Sequence, residues 1–167
     1  MIEKFRGDYF FLSNMKPLKN WIETDQGVLV PTAEHAYQAA KFEDPTVHQE
    51  IAQARATENT DKAHADGVAS KDLAHSLIEA GVQVRTDWET AKLGVMFVCV
   101  KQKFFKNEDL AAKLIATGDE ELVEGNHWGD VYWGVSPIGS NTGENHLGKI
   151  LMRVRGQIIE KGEKNES

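Results

Sequence analysis

Apolar positions cluster at the start of the chain and then fall into helical spacing. Phe5, Tyr9, Phe10, Phe11 and Leu12 gather around Gly7. Trp21-Ile22 and Val28-Leu29-Val30 flank the polar stretch Glu23-Thr24-Asp25-Gln26-Gly27, which predicts a short β-hairpin. From Pro31 onward helix signals dominate. Thr32 is placed to cap a helix running to Asp44-Pro45, because proline disfavours helix in the residue before it. Thr46 opens a second helix carrying Val47, Ile51 and Ala54. A Ser70 cap precedes Leu73, Leu77 and Ile78, with Gly81 just past the end.

The longest helix is predicted to follow. Thr86-Asp87-Trp88-Glu89 has the form of a capping box, and Val95-Met96-Phe97-Val98-Cys99-Val100 is apolar all round. Such a helix is expected to be buried on every side and central. Asn107 is placed to cap a shorter helix with Leu110, Leu114 and Ile115, closed by Gly118. Leu147, Ile150, Leu151, Val154 and Ile158 then lie on one stripe of a last helix. The pattern predicts a predominantly α fold of the α+β class: six or seven helices around one core, with a small N-terminal β element. One domain is expected over residues 1–160, with a polar tail at 161–167 that frays.

Composition narrows the chemistry. With 19 Lys plus Arg against 26 Asp plus Glu among 167 residues, the net charge is −7. That balance disfavours a protein living on non-specific nucleic-acid affinity, which comes from cations on phosphates. One local pocket for a nucleotide is still compatible with it. No apolar run approaches the roughly 20 residues of a membrane span, and the N-terminus lacks a secretory pattern. A single cysteine, Cys99, excludes an internal disulfide and fits a reducing, cytoplasmic setting. The chain has no P-loop, no G-x-G-x-x-G, no H-E-x-x-H and no nucleophile elbow, and its histidines show no metal-ligand spacing. Any chemistry falls to carboxylates, amides, aromatics and backbone.

Three stretches could carry it. In Pro31-Thr32-Ala33-Glu34-His35-Ala36-Tyr37-Gln38-Ala39-Ala40-Lys41-Phe42, a helix would place Glu34, Tyr37, Gln38 and Lys41 on one face. The carboxylate and the ammonium would stand roughly 10 Å apart along it. That spacing suits a ligand with a reacting sugar at one end and a phosphate at the other; the plainer alternative is a solvated polar face. In Glu124-Gly125-Asn126-His127-Trp128-Gly129-Asp130-Val131-Tyr132-Trp133-Gly134, aromatics and glycines surround one aspartate. Such a loop either stacks on a planar base or folds back on the core with its rings as plugs. Arg85, just before the predicted long helix, marks either an anion site or only the approach to a capping box. Ser13-Asn14 and Gly143-Glu144-Asn145 add polar candidates, and Asn145 could equally cap the last helix.

Together these stretches resemble the NADAR superfamily, also called YbiA-like, across nearly the whole chain. The carrying residues are Tyr9-Phe10-Phe11-Leu12-Ser13-Asn14, the Thr32-to-Phe42 stretch, Arg85-Thr86-Asp87-Trp88 with Lys92 and Met96, Lys103-Phe104, Asn107 with Leu110, Leu122-Val123-Glu124, Asp130-Val131-Tyr132-Trp133-Gly134 and Asn145-His146-Leu147-Gly148-Lys149-Ile150-Leu151-Met152. The chain departs from the family pattern at Met15, where phenylalanine is usual, and at Val135-Ser136-Pro137.

The resemblance implies a compact helical fold and an N-glycosidase that needs neither metal nor cofactor. Some members remove ADP-ribose from modified guanine, including in DNA, as antidotes to ADP-ribosylating toxins. Others split the ribose-to-base bond of ribosylaminopyrimidine phosphates early in the riboflavin pathway. Carried over by position, the resemblance points to Glu34, Asp130 and Trp88 for the reaction. Glu34 would stabilise an oxocarbenium-like transition state or activate water, Asp130 would hold ribose hydroxyls or assist the leaving base, and Trp88 would stack or exclude water. Asn14, Tyr37, Gln38, Lys41, Arg85, Trp133, Gly134 and Asn145 would bind substrate, the two cations at phosphate. The first expectation is removal of ADP-ribose from guanine, with a toxin as functional partner. The alternatives are cleavage of a ribosylaminopyrimidine phosphate and a non-catalytic ADP-ribose reader.

Overall fold

Buried alanines give the architecture its pivot. In the computed structural model, which describes residues 1–57 and 62–166, helix α1 (Ala33–Ala39) is buried along its whole length. Ala33, Ala36 and Ala39 take up so little room that neighbouring elements close on it from several sides. Around α1 stand helices α2 (Pro45–Ala52), α3 (Ala65–Glu79) and α4 (Trp88–Lys106) and a two-stranded antiparallel ribbon of β1 (Ile22–Glu23) and β2 (Leu29–Val30). Ile22 pairs with Val30 and Glu23 with Leu29. These elements form one compact unit, Asn14–Asn107. Part of its core is Ala39, Phe42, Val47, Ile51 and Ala74, with Leu73, Leu77, Val82 and Val84 packed against them.

The other compact unit joins Met1–Ser13 to Glu108–Ser167. It holds a 3-10 helix (Gly7–Leu12), α5 (Glu108–Ala116) and α6 (His146–Glu166). Backbone bridges link Ile2 to Leu122 and Gly125 to Val135. Leu147, Ile150, Leu151 and Val154 line the buried stripe of α6, as their spacing predicts, and Ile158 is half-buried at its end. The fold is mainly helical with a small N-terminal β element, as expected. Among the described residues no helix is long and apolar enough to cross a membrane.

Several local expectations are corrected. The helix capped by Thr32 ends at Ala39 rather than at Asp44, and Asp44 instead caps α2 by accepting from the Thr46 N–H, with Pro45 in the first turn. Ser70 lies inside α3, where its hydroxyl donates to the Gly67 carbonyl. The capping box before α4 does not form: Asp87 rather than Thr86 is at the N-cap, its carboxylate is held by Arg85 and makes no cap bond, and Glu89 accepts from Lys92. Helix α4 buries Trp88, Met96, Cys99, Val100, Lys103 and Phe104 but leaves Leu93 and Val98 exposed, so the helix closed on all sides is the short α1. Asn107 spends its amide on Asn20 and the Lys103 carbonyl. Helix α6 continues through the polar residues to Glu166, all exposed from Glu160 on; Ser167 lies outside the described residues.

Candidate active site

Glu34 enters a buried position because of what caps its helix. The Thr32 hydroxyl accepts from the His35 N–H at 3.0 Å and stands 2.7 Å from His35 Nδ1. The other ring nitrogen, Nε2, lies 2.9 Å from the Ala54 carbonyl. A carbonyl only accepts, so Nε2 carries the proton and Nδ1 accepts from Thr32. Burial pulls the His35 pKa down to about 4, against the hydrogen bond to Ala54, so the ring is neutral at pH 7. His35 is therefore a brace for the first turn.

Glu34, Tyr37 and Gln38 are all buried, so the polar row is not a solvated face. Gln38 Nε2 donates to Glu34 Oε1 at 2.8 Å, and the Glu34 N–H donates to the Asn14 carbonyl at 3.1 Å. The Asn14 side chain in turn donates to Met96 Sδ on α4 at 3.2 Å. Tyr37 packs on Trp88 with ring centroids 5.2 Å apart and planes tilted by 50°. Asn14, Glu34, Tyr37, Gln38 and Trp88 thus gather within one unit. Cys99 is buried nearby, its thiol raised to about 12 by burial first and by the charges of Glu34 and Asp25 second, which leaves it unreactive.

The two predicted cations sit differently. Helix α1 has ended before Lys41, so the helical row is broken there, yet Nζ lies 5.9 Å from the Tyr37 ring centroid. Burial lowers the Lys41 pKa, while Glu34 partly restores it. Arg85 grips Asp87 with two hydrogen bonds, at 2.7 and 2.9 Å, and has Asp25 at 3.6 Å. Its pKa is raised, chiefly by the hydrogen bond to Asp87. A phosphate at Arg85 would compete with both carboxylates. A cleft of about 320 Å³ beside Arg85 is also lined by Glu43 and Asp44, and none of the Glu34 group lines it.

Asp130, Trp133, Gly134 and Asn145 belong to the other unit. Asp130 Oδ1 accepts from the N–H groups of Tyr132 and Trp133, a turn that folds the loop over its own carboxylate. Trp133 meets Tyr132 edge-on at 4.8 Å and His146 at 6.4 Å. Gly134 leaves no room for a side chain, since a Cβ there would stand 2.0 Å from the Glu124 carbonyl oxygen. Asn145, with φ at 52°, clamps the Leu122 carbonyl and the Glu124 N–H through its side chain. The residue the sequence does not mark is Asn126. It is fully buried, accepts from the N–H groups of Trp128 and Asp130, and donates to the carbonyls of Asp130 and Val135. Its place between two glycines is the one local signal of such a loop organiser.

Among the described residues no group of three His, Cys, Asp or Glu could hold a metal ion. The model of the NADAR domain matches residues 3–159. A riboflavin biosynthesis protein of Vibrio vulnificus is 36% identical over 150 residues, covering 90% of this chain and 36% of its own length. The chain thus spans about a third of that relative. The N-glycosidase YbiA of Escherichia coli K12 is 35% identical over 155 residues, covering 92% of this chain and 85% of that one. The solved structure of E. coli YbiA superposes with a TM-score of 0.68 at 31% identity, over 96% of this chain and 89% of that one.

Proposed function

The chain belongs to the NADAR domain family, and on that premise we propose that it is an N-glycosidase hydrolysing a ribosyl C1′–N bond, with Glu34 as its catalytic carboxylate. The observation that carries this reading is a buried carboxylate that accepts from the Gln38 amide, beside the Tyr37–Trp88 aromatic pair. As the C1′–N bond stretches, positive charge grows on the sugar. A carboxylate fixed in a poorly solvated place stabilises that charge far more than it stabilises the neutral substrate. Gln38 and the backbone of Asn14 keep Glu34 in position, so little reorganisation is left for the reaction itself. The indole of Trp88 and the phenol of Tyr37 offer flat faces to a base and keep bulk water away. Lys41, beside Tyr37 and within the field of Glu34, supplies an ammonium for a substrate phosphate.

For the leaving base, a ribosylaminopyrimidine phosphate is the favoured substrate, because one relative bears the name of a riboflavin biosynthesis protein and another that of an N-glycosidase. ADP-ribosylated guanine, with the toxin pairing it would bring, rests on the wider family resemblance alone. One product assay separates them. Wild type and Glu34→Gln are incubated with a ribosylaminopyrimidine phosphate and with guanine-ADP-ribosylated single-stranded DNA, and products are resolved by chromatography. The expected outcome is ribose 5-phosphate from the first substrate, with turnover at least about 100-fold lower in Glu34→Gln. Free ADP-ribose from the DNA alone would move the assignment to the second substrate. Tight ADP-ribose binding without release of either product would reduce the protein to a reader.

A further inference from the structure

Gln38 is half satisfied. Its Nε2 donates to Glu34 Oε1 at 2.8 Å, while its own Oε1 is buried and has no hydrogen-bond partner among the described residues. The amide cannot be turned round to relieve this, because its carbonyl would then face a carboxylate and two acceptors would meet. Buried acceptors are nearly always paired, so this one calls for a donor. The donor has to be small, since the atom has almost no accessible surface.

Distance identifies it. The nitrogen and oxygen of an amide are roughly 2.2 Å apart, so Gln38 Oε1 stands no more than about 5 Å from Glu34 Oε1. One water making two hydrogen bonds of about 2.8 Å spans that gap, donating one hydrogen to each oxygen. A water held by both hydrogens keeps its two lone pairs for an electrophile. A ribose hydroxyl or methanol, with one O–H, could satisfy only one of the two acceptors.

We propose that Gln38 is a positioning residue that, with Glu34, holds and aims the water that attacks C1′. This rests on the reading of Glu34 as the catalytic carboxylate. In the step, the C1′–N electron pair leaves with the base nitrogen and the water oxygen bonds to C1′. One water proton passes to Glu34 and on to solvent, and the departing nitrogen takes up one proton, so that a single water is added overall.

The test is nucleophile partition. Wild type, Gln38→Met and Glu34→Gln turn over the accepted substrate in methanol–water mixtures, and the ratio of methyl riboside to free sugar is measured beside kcat and KM. For Gln38→Met, which keeps the length and loses both polar atoms, kcat should fall about 10- to 100-fold with KM within about threefold. The methyl riboside fraction should rise several-fold, because nothing then prefers a two-hydrogen nucleophile. A merely structural Gln38 would lower the amount of folded enzyme and leave the partition unchanged, and that result overturns the proposal. If Gln38→Met does not fold, Gln38→Asn, which draws the amide back by one methylene, is expected to shift the partition in the same direction, and an unshifted ratio again overturns it. Wild-type turnover by Glu34→Gln would remove the functional reading itself. A dead Glu34→Gln with an unshifted Gln38→Met would remove only the held water.

Discussion

Lowering the pH should destabilise this protein through His35, and the size of the effect follows from its surroundings. The ring is wholly buried, donates from Nε2 to the Ala54 carbonyl and accepts at Nδ1 from Thr32. Its pKa is brought down from 6.5 to about 4, by burial first. In the unfolded chain the same ring titrates near 6.5, so between pH 6.5 and 4 the unfolded state binds more protons than the folded one. The folded-state advantage of the neutral ring is therefore complete above about pH 6.5 and is lost as the pH falls toward 4. Integrated from pH 7.5 to 4.5, the loss amounts to about 2.5 kcal/mol. That is a measurable fraction of the roughly 5–15 kcal/mol by which an ordinary domain is stable. Urea unfolding at the two pH values, followed by circular dichroism, gives the wild-type difference. His35→Gln should be less stable at pH 7.5 by about 2 kcal/mol through the loss of its buried hydrogen bonds. By pH 4.5 the balance should move by about 2.5 kcal/mol in the variant's favour, which closes the gap and slightly reverses it, because the variant has no ring to protonate. A gap of the same size at both pH values would refute the assignment of His35 as a neutral structural brace.

Two further outcomes can be checked on the same protein. Gly134→Ala should destabilise by about 3 kcal/mol, since its Cβ would stand 2.0 Å from the Glu124 carbonyl oxygen. Gly156→Ala, in α6 with open space around it, should stabilise by about 0.5–1 kcal/mol, and melting of the two variants side by side reads the contrast. Cys99, the single cysteine, has its thiol raised to about 12 by burial. Iodoacetamide at pH 8 should leave the native protein unmodified and label it fully in denaturing urea, as read by mass spectrometry; rapid native labelling would contradict that burial.

Much of the fold was legible locally. The hairpin around Gly27, the Thr32 cap, the glycines past α3 and α5 and the apolar stripe of α6 all depend on residues within a few positions of one another. Propensity and periodicity operate over that range, so the sequence alone could place these elements and set out the Glu34, Tyr37 and Gln38 row. It could not say which face of a helix meets another element. For that reason the apolar run in α4 pointed to a helix buried all round, although tertiary contacts cover only one side and leave Val98 exposed. The reverse holds for α1, whose polar residues looked compatible with solvent. It is enclosed because small alanines admit neighbouring elements that are distant in sequence. Side-chain partners across such distances were equally out of reach: His35 held by Ala54, and Asn14 tied to Met96. The sequence determined that Glu34 and Gln38 stand one turn apart. Only the packing around them decided that both are buried, and burial gives a carboxylate and an unpaired amide oxygen the energetic weight that water would otherwise screen away.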